Sequence, residues 1–175
     1  MRSFKLAACL SVLALGLTTL TTQAASAQPA PTASTPGSYI GGGFTGGVTS
    51  GGGNGEAANI GGNITGRYRF SQAPVSLRTS VLLSNGSPVV VPTVSYDLAL
   101  GQRTNVYLGA GASVVTGDSD RSSPLGNQTA FALQPGVEVS LNRNLVWFGN
   151  GVVAFNAYES GGTAASLQTG VGLQF

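Results

Sequence analysis

The sequence predicts an all-β fold, an eight-stranded antiparallel up-and-down transmembrane β-barrel after a cleaved signal peptide. Three observations predict it. From Ser38 to Phe175 apolar and polar residues alternate with period two, the pattern of strands buried on one face. Turn-forming clusters interrupt the alternation, tight ones taking turns with longer ones, as in barrels with short turns at one end and loops at the other. Every charge within a strand falls on the polar face. An arginine facing lipid at mid-bilayer would cost about 2–4 kcal/mol.

The first element is a targeting segment. "MRSFK" is a short basic start, "LAACLSVLALGL" an apolar run, and "ASA" ends at Ala27. Cleavage is expected between Ala27 and Gln28, giving a signal peptide over 1–27. The "LAAC" that ends at Cys9 resembles a lipoprotein cleavage box, but almost no apolar core precedes it. An uncleaved anchor is disfavoured because Leu6–Leu20 falls short of the ~18 apolar residues a spanning helix needs.

Removal of that segment changes the charge. Arg2 and Lys5 leave with it, so eight basic residues become six arginines against six acids, a formal charge of zero. That balance gives nucleic acid no basic footprint to meet. Cys9 leaves too, and there is no histidine. The mature chain therefore offers neither disulfide nor thiol chemistry.

Residues 28–37, "QPAPTASTPG", read as a flexible linker rich in Pro, Ala, Ser and Thr. The barrel domain follows over 38–175. Its strands are expected at 38–49, 57–70, 75–84, 89–100, 105–116, 129–141, 145–157 and 163–175. No stretch of ten or more residues after the signal places apolar residues at helical spacing. Spans of this length match the ~9–11 residues a tilted strand needs to cross a bilayer. Closure would remove the exposed edges that such long strands otherwise present.

The connections support the order. "SQAP", "GQRT" and "NRN" are tight, whereas "SGGGNG", "NGSP", "GDSDRSSPLGNQ" and "YESGG" fall at the opposite end. An even strand count puts both ends of the domain on one side. Within the strands, Ile60, Ile64, Tyr68 and Phe70 oppose Asn63, Thr65, Arg67 and Arg69. Val75, Leu77, Val81 and Leu83 oppose Ser76, Arg78 and Ser80. Phe131, Leu133, Val137, Val139 and Leu141 oppose Gln134, Gly136, Glu138 and Ser140. Large apolar residues are thus expected outside and small polar ones inside, where eight strands enclose little room. Pro92 and Pro135 each delete a ladder hydrogen bond and are expected at a bulge or rim.

With these patterns in place, the chain resembles a small outer-membrane β-barrel of the OmpA, OmpX and opacity-protein type. The resemblance rests on the glycine-rich "YIGGGFTGG", the "GVEVSLNRNLVWFGNG" hairpin and the closing "LQTGVGLQF". It implies the outer membrane of a Gram-negative-type bacterium, reached through the general secretory route, with outer-membrane lipid as surroundings. It also implies that Leu167, Val171, Leu173 and Phe175 form the signal read by the barrel-insertion machinery.

Candidate chemistry is sparse. Arg67, Arg69, Arg78, Asp97 and Glu138 are the barrel-interior charges, better explained as a paired network filling the lumen than as an ion path. Inward glycines (Gly61, Gly109, Gly111, Gly136, Gly170, Gly172) would leave space and favour the path. Asp118, Asp120 and Arg121 lie in the longest loop, expected outside the cell. That loop lacks the glycine and distal glutamate of a calcium loop, so no metal is expected. The glycine clusters lack the lysine of a phosphate loop, so no cofactor is expected. No base stands beside a nucleophile, which argues against an enzyme.

The expected function is a structural or surface-interaction role, adhesion-like, carried by extracellular loops that meet an unidentified host or cell-surface ligand. One alternative is a narrow porin-like channel for small solutes or ions. Another is a secreted glycine-rich β-protein or fibre subunit.

Overall fold

The computed structural model describes residues 36–49, 60–84, 86–116, 123–159 and 161–175. Residues Ala27, Gln28, Asp118, Asp120 and Arg121 lie outside the described residues.

Eight strands form: β1 (Tyr39–Gly47), β2 (Ile60–Arg69), β3 (Val75–Leu83), β4 (Val89–Ala99), β5 (Thr104–Val115), β6 (Ala130–Ser140), β7 (Leu145–Phe155) and β8 (Thr163–Gln174). Each pairs antiparallel with the next, and β8 returns to β1 to close the barrel. The closing register runs from Tyr39↔Gln174 to Gly47↔Ser166. Closure leaves no sheet edge and so no row of unpaired backbone groups. Phe175 lies just past β8, and its N–H donates to the Ser38 carbonyl at 3.1 Å.

Side chains sort by strand parity. Ser76, Arg78, Ser80 and Leu82 of β3 are buried inward, whereas Leu77 and Leu83 are exposed. The outer wall carries Ile40, Phe44, Ile64, Tyr96, Leu108, Leu167 and Leu173, all more than half exposed. An apolar surface this continuous is untenable in water and suited to lipid. Phe131 and Phe155 stack at 6.2 Å near the loop end, and Tyr68 meets Phe70 edge-on at 5.3 Å near the tight turns.

Pro92 and Pro135 sit neither at bulges nor at rims, contrary to expectation. Register is continuous past both: β4 pairs β5 as Val90↔Val114 and again as Thr93↔Gly111. Likewise β6 pairs β7 as Leu133↔Val153 and again as Gly136↔Asn150. Pairing lapses for two residues on one side only, while Thr79↔Pro92 and Leu108↔Pro135 persist on the other. In an antiparallel strand a residue directs its N and O toward one neighbour. The missing N–H is therefore felt on a single seam, and the strand needs no extra residue.

Candidate functional site

The lumen is the one place where strand-borne charge gathers, and it is built in layers. At the tight-turn end, Arg67 (β2), Arg78 (β3), Asp97 (β4) and Glu138 (β6) project inward and meet. Arg78 Nη2 lies 2.8 Å from Asp97 Oδ1, and Arg78 Nη1 pairs with Glu138 Oε1. Arg67 Nη1 donates to Glu138 Oε2 at 2.7 Å. Arg67 Nη2 stands 3.2 Å from Asp97 Oδ2, near enough for ion pairing but off the hydrogen-bond direction. Two cations thus alternate with two anions, which is the balance that buried charges require.

Further hydrogen bonds reach both carboxylates and both arginines. Glu138, fully buried, also accepts from Tyr39 Oη at 2.9 Å and Asn105 Nδ2 at 3.0 Å. Ser76 donates to Asp97, and the Ser76 and Ser95 hydroxyls accept from Arg67 Nε and Arg78 Nε at 3.0 and 2.8 Å. The Arg78 guanidinium lies 3.4 Å from the centre of the Tyr107 ring, a cation–π contact. One carboxylate, Glu138, thereby joins β6 to β1, β2, β3 and β5.

Arg69, expected among these charges, lies at the end of its strand, β2, half-buried at the tight-turn rim, with its N–H on Ser38 Oγ. Pro36 and Gly37, the end of the expected linker, are held at the same end. Arg67 Nη1 donates to the Pro36 carbonyl at 2.8 Å, and Gly37 N–H to Gln174 Oε1 at 2.7 Å.

The inward glycines do not leave open space. A methyl group on Gly172 would stand 2.6 Å from the Tyr39 ring, and one on Gly170 2.6 Å from Phe148 Cζ. One on Gly136 would run into the Tyr107 ring. Tyr39, Tyr107 and Phe148 point inward, and Tyr39 stacks on Phe148 at 6.0 Å. Sequence reasoning missed these three aromatics as lumen residues. Their signal was present, since each shares strand parity with an inward polar residue: Tyr39 with Thr45, Tyr107 with Asn105, Phe148 with Asn150.

Toward the loops the lumen turns apolar, against the expectation of a polar interior throughout. Leu82, Val89, Val91, Ala132, Val152, Ala154 and Ala164 form a buried cluster with Leu125 and Ala157 from the loops. Leu125 is fully buried. Asn127 N–H and Gln128 N–H both donate to the Ala157 carbonyl, at 2.9 and 3.1 Å. Gln128 Nε2 donates to the Asn156 and Tyr158 carbonyls at 2.7 and 2.8 Å. The segments Leu125–Gln128 and Asn156–Tyr158 are thereby laced into a cap that joins the buried cluster. Among the described residues no cluster of His, Cys, Asp and Glu could hold a metal ion.

A closed, eight-stranded barrel with an apolar wall and an ion-paired lumen is an architecture built for a membrane. The family model for the outer membrane protein beta-barrel domain matches residues 11–175. The chain belongs to that family. It is accordingly an outer-membrane protein, and barrels of this kind carry their tight turns on the periplasmic side and their longer loops outward.

Solved barrels share its fold. Neisserial surface protein A superposes with a TM-score of 0.57 at 16% identity, over 79% of this chain and 97% of that one. The attachment invasion locus protein Ail of Yersinia pestis, solved with the heparin analogue sucrose octasulfate, gives 0.55 at 18% identity, over 79% and 97%. A de novo designed transmembrane β-barrel gives 0.54 at 13% identity, over 80% and 97%. No curated protein is similar to the chain at the level of sequence.

Proposed function

We propose that this barrel is a non-enzymatic scaffold that holds its outward loops for contact with a surface, in the manner of an adhesin. The observation that carries the reading is the filled lumen, with the Arg67–Arg78–Asp97–Glu138 network at one level and the Leu125 cap at another. A barrel closed twice has its loops, rather than its interior, available to a partner. The likeness to Ail supports the same reading, since that protein's name records attachment and invasion.

The partner differs in chemistry from the sulfated ligand seen with Ail. The outward segments of this chain carry Glu56, Asp118, Asp120 and Glu159 against Arg121 alone. Such loops repel a polyanion and suit a basic or neutral polar surface. Export by cleavage between Ala27 and Gln28, and assembly through Leu167, Val171, Leu173 and Phe175, complete the proposal. Phe175 is 83% exposed at the periplasmic rim, open to the insertion machinery.

Surface contact is tested by displaying the barrel on a non-adherent bacterium and measuring retention on cultured cells and on cationic and sulfated beads. Retention above the empty strain on cells and cationic beads, lost when segment 116–129 is replaced by a short turn, is the expected result. Retention equal to the empty strain would sink the reading. Planar-bilayer recordings separate it from a narrow channel: the expected trace is silent at low and high salt, and stepwise conductance would favour the channel.

A further inference from the structure

Between the ionic network and the apolar cap, four buried side-chain atoms on three adjacent strands have no hydrogen-bond partner among the described residues. They are Thr45 Oγ1 on β1, Asn63 Oδ1 on β2, and Ser166 Oγ and Gln168 Nε2 on β8. Their residues are only 2%, 4%, 1% and 3% exposed. Register gathers them, because Thr45 faces Gln168, Gly47 faces Ser166 and Gly43 faces Asn63. Having no side chain, Gly43 lets Asn63 Nδ2 reach across β1 to Gln168 Oε1 at 3.1 Å. Asn150, which faces Gln168 across the β7–β8 pair, instead accepts from Gln134 Nε2, and Gln134 Oε1 accepts from Thr93.

The unpaired set is not an accident of how the two amides are turned. An amide carries a donor group and an acceptor. Their mutual contact uses the donor of one and the acceptor of the other, whichever way round they stand. An acceptor on one and a donor on the other are always left over, beside two hydroxyls. Buried polar groups are paired in folded proteins, by ordered water where protein groups do not serve. The mixed set selects its ligand. A cation would face the Gln168 N–H groups and an anion the Asn63 carbonyl, whereas water both donates and accepts.

We propose that Thr45, Asn63, Ser166 and Gln168 form an internal hydration site, in which ordered water bridges β8, β1 and β2. The site is walled from the outside by the cap, with Leu125, Val152 and Ala164 fully buried above it. A methyl group on Gly47 would already lie 3.3 Å from the Pro124 carbonyl. Below it, Phe148 covers Gly170 and the ion pairs close the lumen. Water held there exchanges with bulk only when the loop segment Ser123–Gly126 lifts.

Water-to-protein magnetisation transfer, read by NMR on the full barrel in lipid nanodiscs, tests the site. The Gln168 side-chain amide is expected to show cross-peaks from long-lived water. Their absence in the folded protein would overturn the proposal. Thr45→Val with Ser166→Ala keeps side-chain volume close to native and is expected to abolish the cross-peaks. Undiminished cross-peaks would remove both residues from the site and overturn it. In Leu125→Ser the bound water is expected to exchange faster, and an unchanged residence time would overturn the cap as its wall.

Discussion

The two halves of the lumen are closed by opposite chemistry. In the periplasmic half, Arg67, Arg78, Asp97 and Glu138 close it with directional contacts, each fixed by a partner on another strand. In the outward half, Leu82, Val89, Val91, Val152 and Leu125 close it with non-directional contacts. The difference teaches what each closure depends on. A buried ion network holds only while every member is present, because one removed charge leaves another uncompensated. An apolar cap loses area in proportion to what is taken away.

Substitutions in the two halves should therefore fail differently. Glu138→Ala removes the acceptor that both arginines share, and a cost of about 3–5 kcal/mol is expected. Urea unfolding of the barrel in lipid, followed through the only tryptophan, Trp147, reads it. A loss below that of the cap variant would break the comparison. Leu82→Ala opens the fully buried cap and should cost about 2–5 kcal/mol. Its further signature is graded, with Leu82→Val costing less than Leu82→Ala by the same titration.

Smaller effects sharpen the boundary between the halves. Gly136→Ala drives a methyl group into the Tyr107 ring, which also covers Arg78. Overpacking of this kind should cost about 1–3 kcal/mol, and pairing it with Tyr107→Leu should recover part of the loss in a double-mutant cycle. Phe155→Ala breaks the Phe131–Phe155 pair on the lipid face. Beyond lost area, that pair contributes about 0.5–1.5 kcal/mol, so this variant should be the mildest and leave the lumen unaffected.

Strand parity explains why the periplasmic half was legible and the outward half was not. Arg67, Arg78, Asp97 and Glu138 could be assigned inward from sequence, since lipid excludes charge. Arg69 obeys the same parity yet stands at the rim, because parity fixes a face and says nothing of depth. Leu82, Val89 and Val91 carry no such signal. A valine suits lipid and cap equally, and the run "VVVP" alternates nothing. Tyr39, Tyr107 and Phe148 share parity with inward polar residues, but their own chemistry points the other way. An aromatic reads as lipid-facing until the glycine that makes room for it, Gly172, Gly136 or Gly170, is known to stand on the next strand.

By itself the sequence determined the eight strands and the face each presents. Both follow from local rules: side chains alternate along an extended chain, and turns need particular residues. The sequence also required that the buried charges balance, because unpaired charge cannot be desolvated. Only the tertiary structure decided which charges meet, since Glu138 finds Arg67 and Arg78 through a register shared by strands far apart in the chain. It also decided that Ser123–Gly126 folds into the mouth and that Pro92 and Pro135 need no bulge. Each depends on the neighbour that closure supplies, and period-two patterning carries no information about neighbours.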